Sequence, residues 1–559
     1  MPLDFTATVA SDVTQTPVTM LYKWEAERGD TNFLNQPRGN GQVESYTWKQ
    51  VADQARRVAA RLREKNYPAG SRIGIFAKNC AEWFITDLGI MLAGHVSVPI
   101  FASAGDKTIH YVLRHADVKL MFLGKLDNMA ALDSLPDTLE TVYYDYPDLK
   151  GTHRWADFID CDPISDNPEP KMDAMMTIIY TSGSTGQPKG VVHTYRTICW
   201  AARNSLNALS VNTDDRLLSY LPLAHITERV LVELAAFYAS SRIFFVESLD
   251  TFQRDVHAAQ PTLFVSVPRL WTKFQMGVLA KMPQKKLNFL LSLPIIRNIV
   301  SRKIRAGLGI DKARFWASGS APLAPPVIEW FHRVGINISE GWGMTENSAY
   351  GTASVPFRAD KIGTIGRAYD GVDIRLSDDG EIQVKSPCNM VEYYLEPEKT
   401  AETFTTDGYL KTGDKGAIDS EGFIRITGRL KDIFKTEKGK YVTPAPIEAS
   451  LMANPIIEQV CVTGTNLPQP VAIVVLSDVA RKYDRQGVGM KLASTLDVVN
   501  AKLEAHQKVD RIIVVDEPWT VENNLLTPTL KVKRHILEEH YEGLIHDTYN
   551  EKVEFVSVK

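Results

Sequence analysis

The chain has 559 residues, 44% of them hydrophobic and 23% charged, a globular composition too long for one core, so two to four structural units are expected. Lys and Arg total 63 against 67 Asp and Glu; a net charge of −4 gives no basic field that would recruit nucleic acid, so any anion must be held locally. Cys80, Cys161, Cys199, Cys388 and Cys461 are scattered without a Cys-x-x-Cys pair, which argues against a disulfide framework or a zinc site and suits a reducing cytoplasm.

The N-terminus, Met-Pro-Leu-Asp-Phe-Thr, lacks the basic and apolar regions of a secretory signal. A strand over 72–77, a helix over 81–92 and a strand over 96–101 set a βαβ rhythm. Residues 88–105 and 459–477 contain no charged side chain, but His95 and Pro99 interrupt the first and Asn466, Pro468 and Pro470 the second. Both read as buried elements joined by turns, not as membrane spans.

After the apolar run 175–179 comes Tyr180-Thr-Ser-Gly-Ser-Thr-Gly-Gln-Pro-Lys-Gly190. Thr181, Ser182, Ser184 and Thr185 offer hydroxyl donors, Lys189 offers a compact charge, and Gly183, Gly186 and Gly190 let the backbone come close to oxygens. This is a loop suited to a polyphosphate. Its spacing is not that of the common nucleotide loop, which needs four residues between the first glycine and Gly-Lys-Ser/Thr.

Strand and helix patterns continue at 217–221 with 230–238 and at 263–267 with 270–279, predicting a large α/β region with mainly parallel sheets. Residues 287–305 mix large apolar side chains with Arg297, Arg302, Lys303 and Arg305 and are broken by Pro294. They fit either a helix packed on its own domain or one lying at a membrane surface. Ser318-Gly-Ser-Ala-Pro is a turn of small residues. In Ser339-Glu-Gly-Trp-Gly-Met-Thr-Glu346, Trp342 can offer a face to a flat ring, Thr345 a hydroxyl, and Glu346 a hard oxygen ligand. Short strands at 373–376, 381–384 and 422–426, separated by Asp-Gly or Glu-Gly turns, predict a small antiparallel unit. The last ~130 residues carry apolar segments at 459–462, 471–476 and 511–515 and are of a size to form an α+β domain. Lys531 and Lys533 lie in Leu526-Thr-Pro-Thr-Leu-Lys-Val-Lys-Arg534, before a helix expected at 535–541.

The order of these motifs, from about Tyr46 to Arg534, resembles that of the acyl-adenylate-forming (AMP-binding) superfamily. Leu221-Pro-Leu-Ala-His-Ile-Thr-Glu-Arg229 and Lys435-Thr-Glu-Lys-Gly-Lys-Tyr-Val-Thr-Pro-Ala-Pro-Ile-Glu448 are similar to long-chain fatty acyl-CoA synthetases. The resemblance implies a large domain over 1–430 and a mobile small domain over 431–559, hinged at Lys431. It implies that Thr181, Ser182, Gly183, Ser184, Thr185, Gly186 and Lys189 hold the phosphates, and that Ser318, Gly319 and Ser320 run beside adenine. Glu340, Gly341, Trp342, Gly343, Met344 and Thr345 would complete the nucleotide site, with Trp342 stacking where relatives often have tyrosine. Asp414 would bind the ribose, Arg429 would lie beside ribose and phosphate, and Thr181 and Glu346 would hold magnesium.

Lys531 would meet the acyl carboxylate and α-phosphate, with Lys533 as the register alternative. Lys435 is expected near the nucleotide and His225 at the acyl pocket. Arg229 stands about where some bacterial long-chain relatives place a gating tryptophan. The implied reaction uses ATP and magnesium to turn a fatty acid into acyl-AMP and then, with coenzyme A, into acyl-CoA. Delivery of acyl-AMP to a separate carrier protein, or a different carboxylic acid, stays open. No motif marks chain length or oligomeric state.

Overall fold

The structure, a computed structural model, describes residues 13–181, 187–527, 530–547 and 551–557. Its largest sheet has eight strands, in the order Glu392–Tyr393, Lys189–Thr194, Met175–Thr181, Val96–Ile100, Arg72–Phe76, Val118–Leu123, Glu140–Tyr143 and His153–Arg154. The pairings are parallel from Met175–Thr181 onward and antiparallel at the Glu392–Tyr393 end. Four of the five residues of Arg72–Phe76 and all five of Val96–Ile100 are buried, as expected of central strands covered on both faces. The covering helix Ala81–Leu92 is buried on every side, which explains its nearly unbroken apolar sequence.

A five-stranded sheet runs Leu263–Ser266, Phe315–Ser318, Ile338–Trp342, Thr352–Ala353, Arg367–Ala368, with the first three parallel. A four-stranded sheet joins Arg216–Ser219, Arg242–Phe245, Asn32–Pro37 and Val43–Thr47. The large lobe is therefore α/β with parallel sheet interiors and antiparallel edges. The expected antiparallel unit is present as Asp373–Leu376, Glu381–Lys385, Leu410–Ile418 and Ile424–Arg429. Its third strand, which the sequence pattern had not disclosed, carries Asp414 opposite Arg429.

The C-terminal lobe has its own core under the sheet Ile457–Thr463, Val471–Leu476, Ile512–Val515, Val553–Val556, with helices Pro444–Leu451 and Arg485–Asn500 packed on it. This is the expected α+β unit. Across the cleft, Arg269 of the large lobe pairs with Glu458 of the small one.

One expectation changes. The helix expected at 230–238 is a π-helical turn, Arg229–Leu234, followed by Ala235–Ala239. The wide turn accompanies a buried charge cluster. Arg229, with none of its side chain exposed, donates to Asp87 Oδ2 at 2.8 Å and to Ser97 Oγ at 3.4 Å, and lies 3.6 Å from Glu233 Oε2 and 5.1 Å from the Trp83 ring centroid. Arg229 is thus a buried ionic anchor, and its guanidinium is not available to gate a passage. Residues 287–305 form parts of two helices, Gln284–Leu291 and Pro294–Leu308, because Pro294 lacks an N–H and is placed at the start of the second. The two uncharged segments resolve into a helix end plus a strand and into two strands. No helix among the described residues is long and apolar enough to cross a membrane.

Candidate functional site

The site lies where strand ends of both large sheets meet the antiparallel unit and the small lobe. Ser182, Gly183, Ser184, Thr185 and Gly186 lie outside the described residues. Their flanks are well placed. Thr181 ends the strand Met175–Thr181 and pairs in register with Lys189, so the chain turns back on itself around the loop. Gly190 belongs to the returning strand, where a Cβ would come within 2.9 Å of Ile178 Cγ2. Its glycine answers to strand packing, a different reason from the flexibility expected of it. Lys189 Nζ sits 4.5 Å from the Tyr393 ring centroid. Burial, and next the neighbouring Lys431, push its ammonium pKa down.

Ser318 ends the strand Phe315–Ser318, and Gly319 donates its N–H to Ser266 O at 3.2 Å. Ser320 turns the chain with φ of 67°. A Cβ on Gly319 would meet only Gly341 O, at an ordinary 3.5 Å, so protein packing alone does not demand glycine there. Glu340 accepts from the Leu323 N–H at 3.2 Å, and burial pushes its carboxyl up to about 7.

Trp342 is buried, and Gly351 must lack a side chain because a Cβ there would come 2.7 Å from its ring. Its Nε1–H donates to Asp414 Oδ2 at 2.9 Å, while Arg429 Nε donates to Asp414 Oδ1 at 2.9 Å. Both oxygens of one carboxylate are therefore oriented by named donors, and the indole N–H has a use that an aromatic face alone did not suggest. Gly343 has no room for a Cβ, which would lie 2.6 Å from the Ala349 carbonyl carbon. That close approach folds Met344, Thr345 and Glu346 into a tight turn, where Met344 N–H donates to Asn347 Oδ1 at 2.8 Å.

Two residues of this turn are held by partners that the sequence did not single out. His193 Nε2 lies 2.8 Å from Thr345 O; burial pushes this imidazole down to about 4, so it is neutral, with Nε2 as the donor. Tyr393 donates its hydroxyl to Glu346 Oε1 at 2.7 Å. Tyr393 thus touches both Lys189 and Glu346, from a two-residue edge strand some forty to two hundred positions away. No local pattern marks either residue.

Lys531 enters from the small lobe on a turn closed by Thr527, whose N–H donates to Lys531 O at 2.8 Å and whose Oγ1 accepts from Lys531 N–H at 3.0 Å. The surrounding cleft strips hydration from the ammonium although the side chain still reaches solvent. This, with Arg429 nearby, pushes it down to about 8 against the opposing pull of Asp414 and Glu346. His225, half-buried, is pushed down to about 4 by burial and then by the charge of Lys531. Its Nδ1 accepts from the Thr227 N–H at 3.3 Å, leaving the proton of the neutral ring on Nε2. Lys533 is tied to Asn524 Oδ1 at 2.6 Å on its own loop. The structure thus brings Lys531, not Lys533, to Asp414, Glu346, Arg429 and His225.

Lys435 is exposed on the hairpin Phe434–Lys435 with Tyr441–Val442, its ammonium 5.7 Å from the Tyr441 ring, and forms no ion pair among the described residues. Lys431 lies in the turn Leu430–Asp432 between the lobes. Among the described residues no group of three or more His, Cys, Asp or Glu is arranged to hold a metal ion. The single buried carboxylate of Glu346 suits magnesium, which keeps several waters and binds largely through substrate phosphates.

The AMP-binding enzyme family profile matches residues 21–394, and that of the AMP-binding enzyme C-terminal domain matches residues 431–553. The chain is an AMP-binding enzyme. Fatty acyl-CoA synthetase A of Dictyostelium discoideum is 30% identical to it over 93% of this chain and 89% of its own length. Long-chain-fatty-acid–CoA ligase 5 of Rattus norvegicus is 32% identical over 90% of this chain and 84% of its own. Among solved structures, the adenylation domain of the carboxylate reductase from Mycobacterium chelonae aligns with a TM-score of 0.81 at 20% identity, covering 96% of this chain and 92% of that one; this likeness shows the fold. This AMP-binding enzyme is therefore a bilobal, AMP-forming ligase that activates a carboxylic acid with ATP.

Proposed function

We propose that this enzyme is a long-chain fatty acid–CoA ligase. Carboxylate attacks the α-phosphate to give acyl-AMP and pyrophosphate; the thiol of coenzyme A then attacks the acyl carbon, forming the thioester and releasing AMP. The observation that carries the chemistry is the convergence of Lys531, from one lobe, with His225, Asp414, Arg429 and Glu346 from the other. Such a reaction depends on positioning and charge stabilisation more than on a covalent protein nucleophile. Neutral His225 offers an N–H at the acyl carboxylate, and Lys531 stabilises charge where carboxylate and phosphate meet. The support for a fatty acid is that the most similar curated relatives include fatty acyl and long-chain fatty acid–CoA ligases matched over most of both chains.

In this reading the hydroxyl loop, Thr181 and Lys189 hold the phosphates. Adenine lies against Ser318–Ser320 and Trp342, which gives the small residue at Gly319 a reason that packing lacks. Asp414 receives the ribose hydroxyls. Glu346 and Thr181 would hold magnesium, which neutralises polyphosphate charge when bound. Pyrophosphate release across a panel of carboxylic acids, with and without coenzyme A, tests the assignment. Thioester formed best from long chains is the expected result; acyl-AMP that accumulates with coenzyme A present points to a carrier protein instead.

Trp342→Phe keeps an aromatic face and removes one of the two donors that orient Asp414. A hydrogen bond to a charged group contributes about 1.5–3 kcal/mol, so KM for ATP should rise about tenfold or more, with a smaller change in kcat. Steady-state pyrophosphate release with ATP varied measures it, and an unchanged KM would remove Trp342 Nε1 from nucleotide binding.

We place the lobe boundary at Lys431 and give that residue the hinge role. Lys431→Pro fixes φ and removes a donor. This variant should still release pyrophosphate, because the arrangement with Lys531 inward is the one described, but should transfer acyl-AMP poorly to coenzyme A. Equal loss of both steps in a folded protein would count against two alternating arrangements.

A further inference from the structure

From Val256 to Ile310 the sequence contains no Asp or Glu but nine Lys and Arg, in a chain whose net charge is −4. The helices Gln284–Leu291 and Pro294–Leu308 hold much of this charge. Leu287, Val300 and Ile304 point into the lobe, while Phe289, Ile295 and Ile299 stand outward at 65%, 80% and 52% exposure. Lys285, Lys286, Arg297, Arg302 and Lys303, exposed on the same two helices, form no ion pair among the described residues. Beside them Arg297, Asn298, Ser301, Arg302 and Arg305 line an open basin of roughly 500 Å³.

We propose that this helix pair docks the enzyme on an anionic lipid surface, with Phe289, Ile295 and Ile299 entering the headgroup and upper acyl region and the basin taking a lipid phosphate. The charge pattern fits such a partner. Cations without acidic counterparts would waste attraction at a protein–solvent boundary, yet each gains against an anionic bilayer. Large apolar side chains on the same helices as these cations gain by leaving water, as they do on interfacial helices. A partner read by charge alone, such as a polyanion in solution, accounts for the lysines and arginines but leaves the three outward apolar side chains without a use. The proposal stands whichever carboxylic acid the active site takes.

Co-sedimentation of the full-length enzyme tests it, with vesicles of phosphatidylcholine alone and of phosphatidylcholine mixed with phosphatidylglycerol. Binding should need phosphatidylglycerol and weaken with salt. The triple variant Arg297→Glu, Arg302→Glu, Lys303→Glu should lower partitioning about 100-fold or more. Phe289→Ser with Ile295→Ser should also release the protein, even at low salt. All these positions are exposed and lie outside the catalytic groups, so pyrophosphate release with a soluble short acid should be unchanged in both variants. Equal sedimentation with both vesicle types, or anionic binding that survives either variant, would overturn the proposal; so would binding that is lost on charge reversal but indifferent to the apolar pair.

Discussion

Lys531→Ala should lower the adenylation rate on the order of 100- to 1000-fold while ATP binding and thioester formation from supplied acyl-AMP change far less. Loss of one aligned donor at a site of developing charge has that magnitude. The position supports the expectation: Lys531 lies within electrostatic reach of Asp414, Glu346 and Arg429, and its charge reaches His225. Lys533→Ala, whose ammonium is occupied by Asn524, should retain ordinary adenylation and serves as the control. The reverse outcome would transfer the role to Lys533.

A pH consequence accompanies it. Lys531 is charged below and neutral above its depressed value of about 8, so kcat/KM, which reports the free enzyme, should fall as pH rises through about 8. Lys531→Arg stays charged and should remove that alkaline limb, even if its geometry lowers the rate.

Arg229→Leu should be strongly destabilising. Arg229, Asp87 and Glu233 have no exposed side-chain surface. Burial pushes the Glu233 carboxyl well above the ordinary carboxylate range, and Asp87, at 2.8 Å, is the nearer partner of the guanidinium. Removing the cation leaves Asp87 buried and unpaired, at a cost of about 3–5 kcal/mol. Urea unfolding of the large lobe should show a lower midpoint at an unchanged m-value. Replacing both charges, Arg229→Met with Asp87→Leu, should recover much of the loss, because the single variant suffers from the stranded carboxylate. Equal losses in the two variants would mean that packing, not charge, is what Arg229 provides.

Motifs whose residues are neighbours in sequence were legible before the fold was known. The Gly-Met-Thr-Glu turn and the core βαβ unit combine local backbone demands with local chemistry. Asp414 was visible, but its strand was not, since Leu410–Ile418 mixes Lys, Thr, Gly and Asp and is recognisable only by its partners. Tyr393 and His193 were hidden for the same reason: their bonds to Glu346 and Thr345 span 47 and 152 residues. The ion pair of Arg229 was hidden too, because its place in the chain says nothing of Asp87, 142 residues earlier.

The pair between Arg269 and Glu458 has a practical meaning for a machine in two parts. Both side chains reach water, so the tie contributes at most about 1 kcal/mol and is weakened by dissolved salt. If the lobes alternate as proposed, it would bias them toward the Lys531-inward pose without locking them there. Ionic strength would then be a dial on the balance between forming the adenylate and consuming it, turned from the solvent with no change in either set of reacting groups.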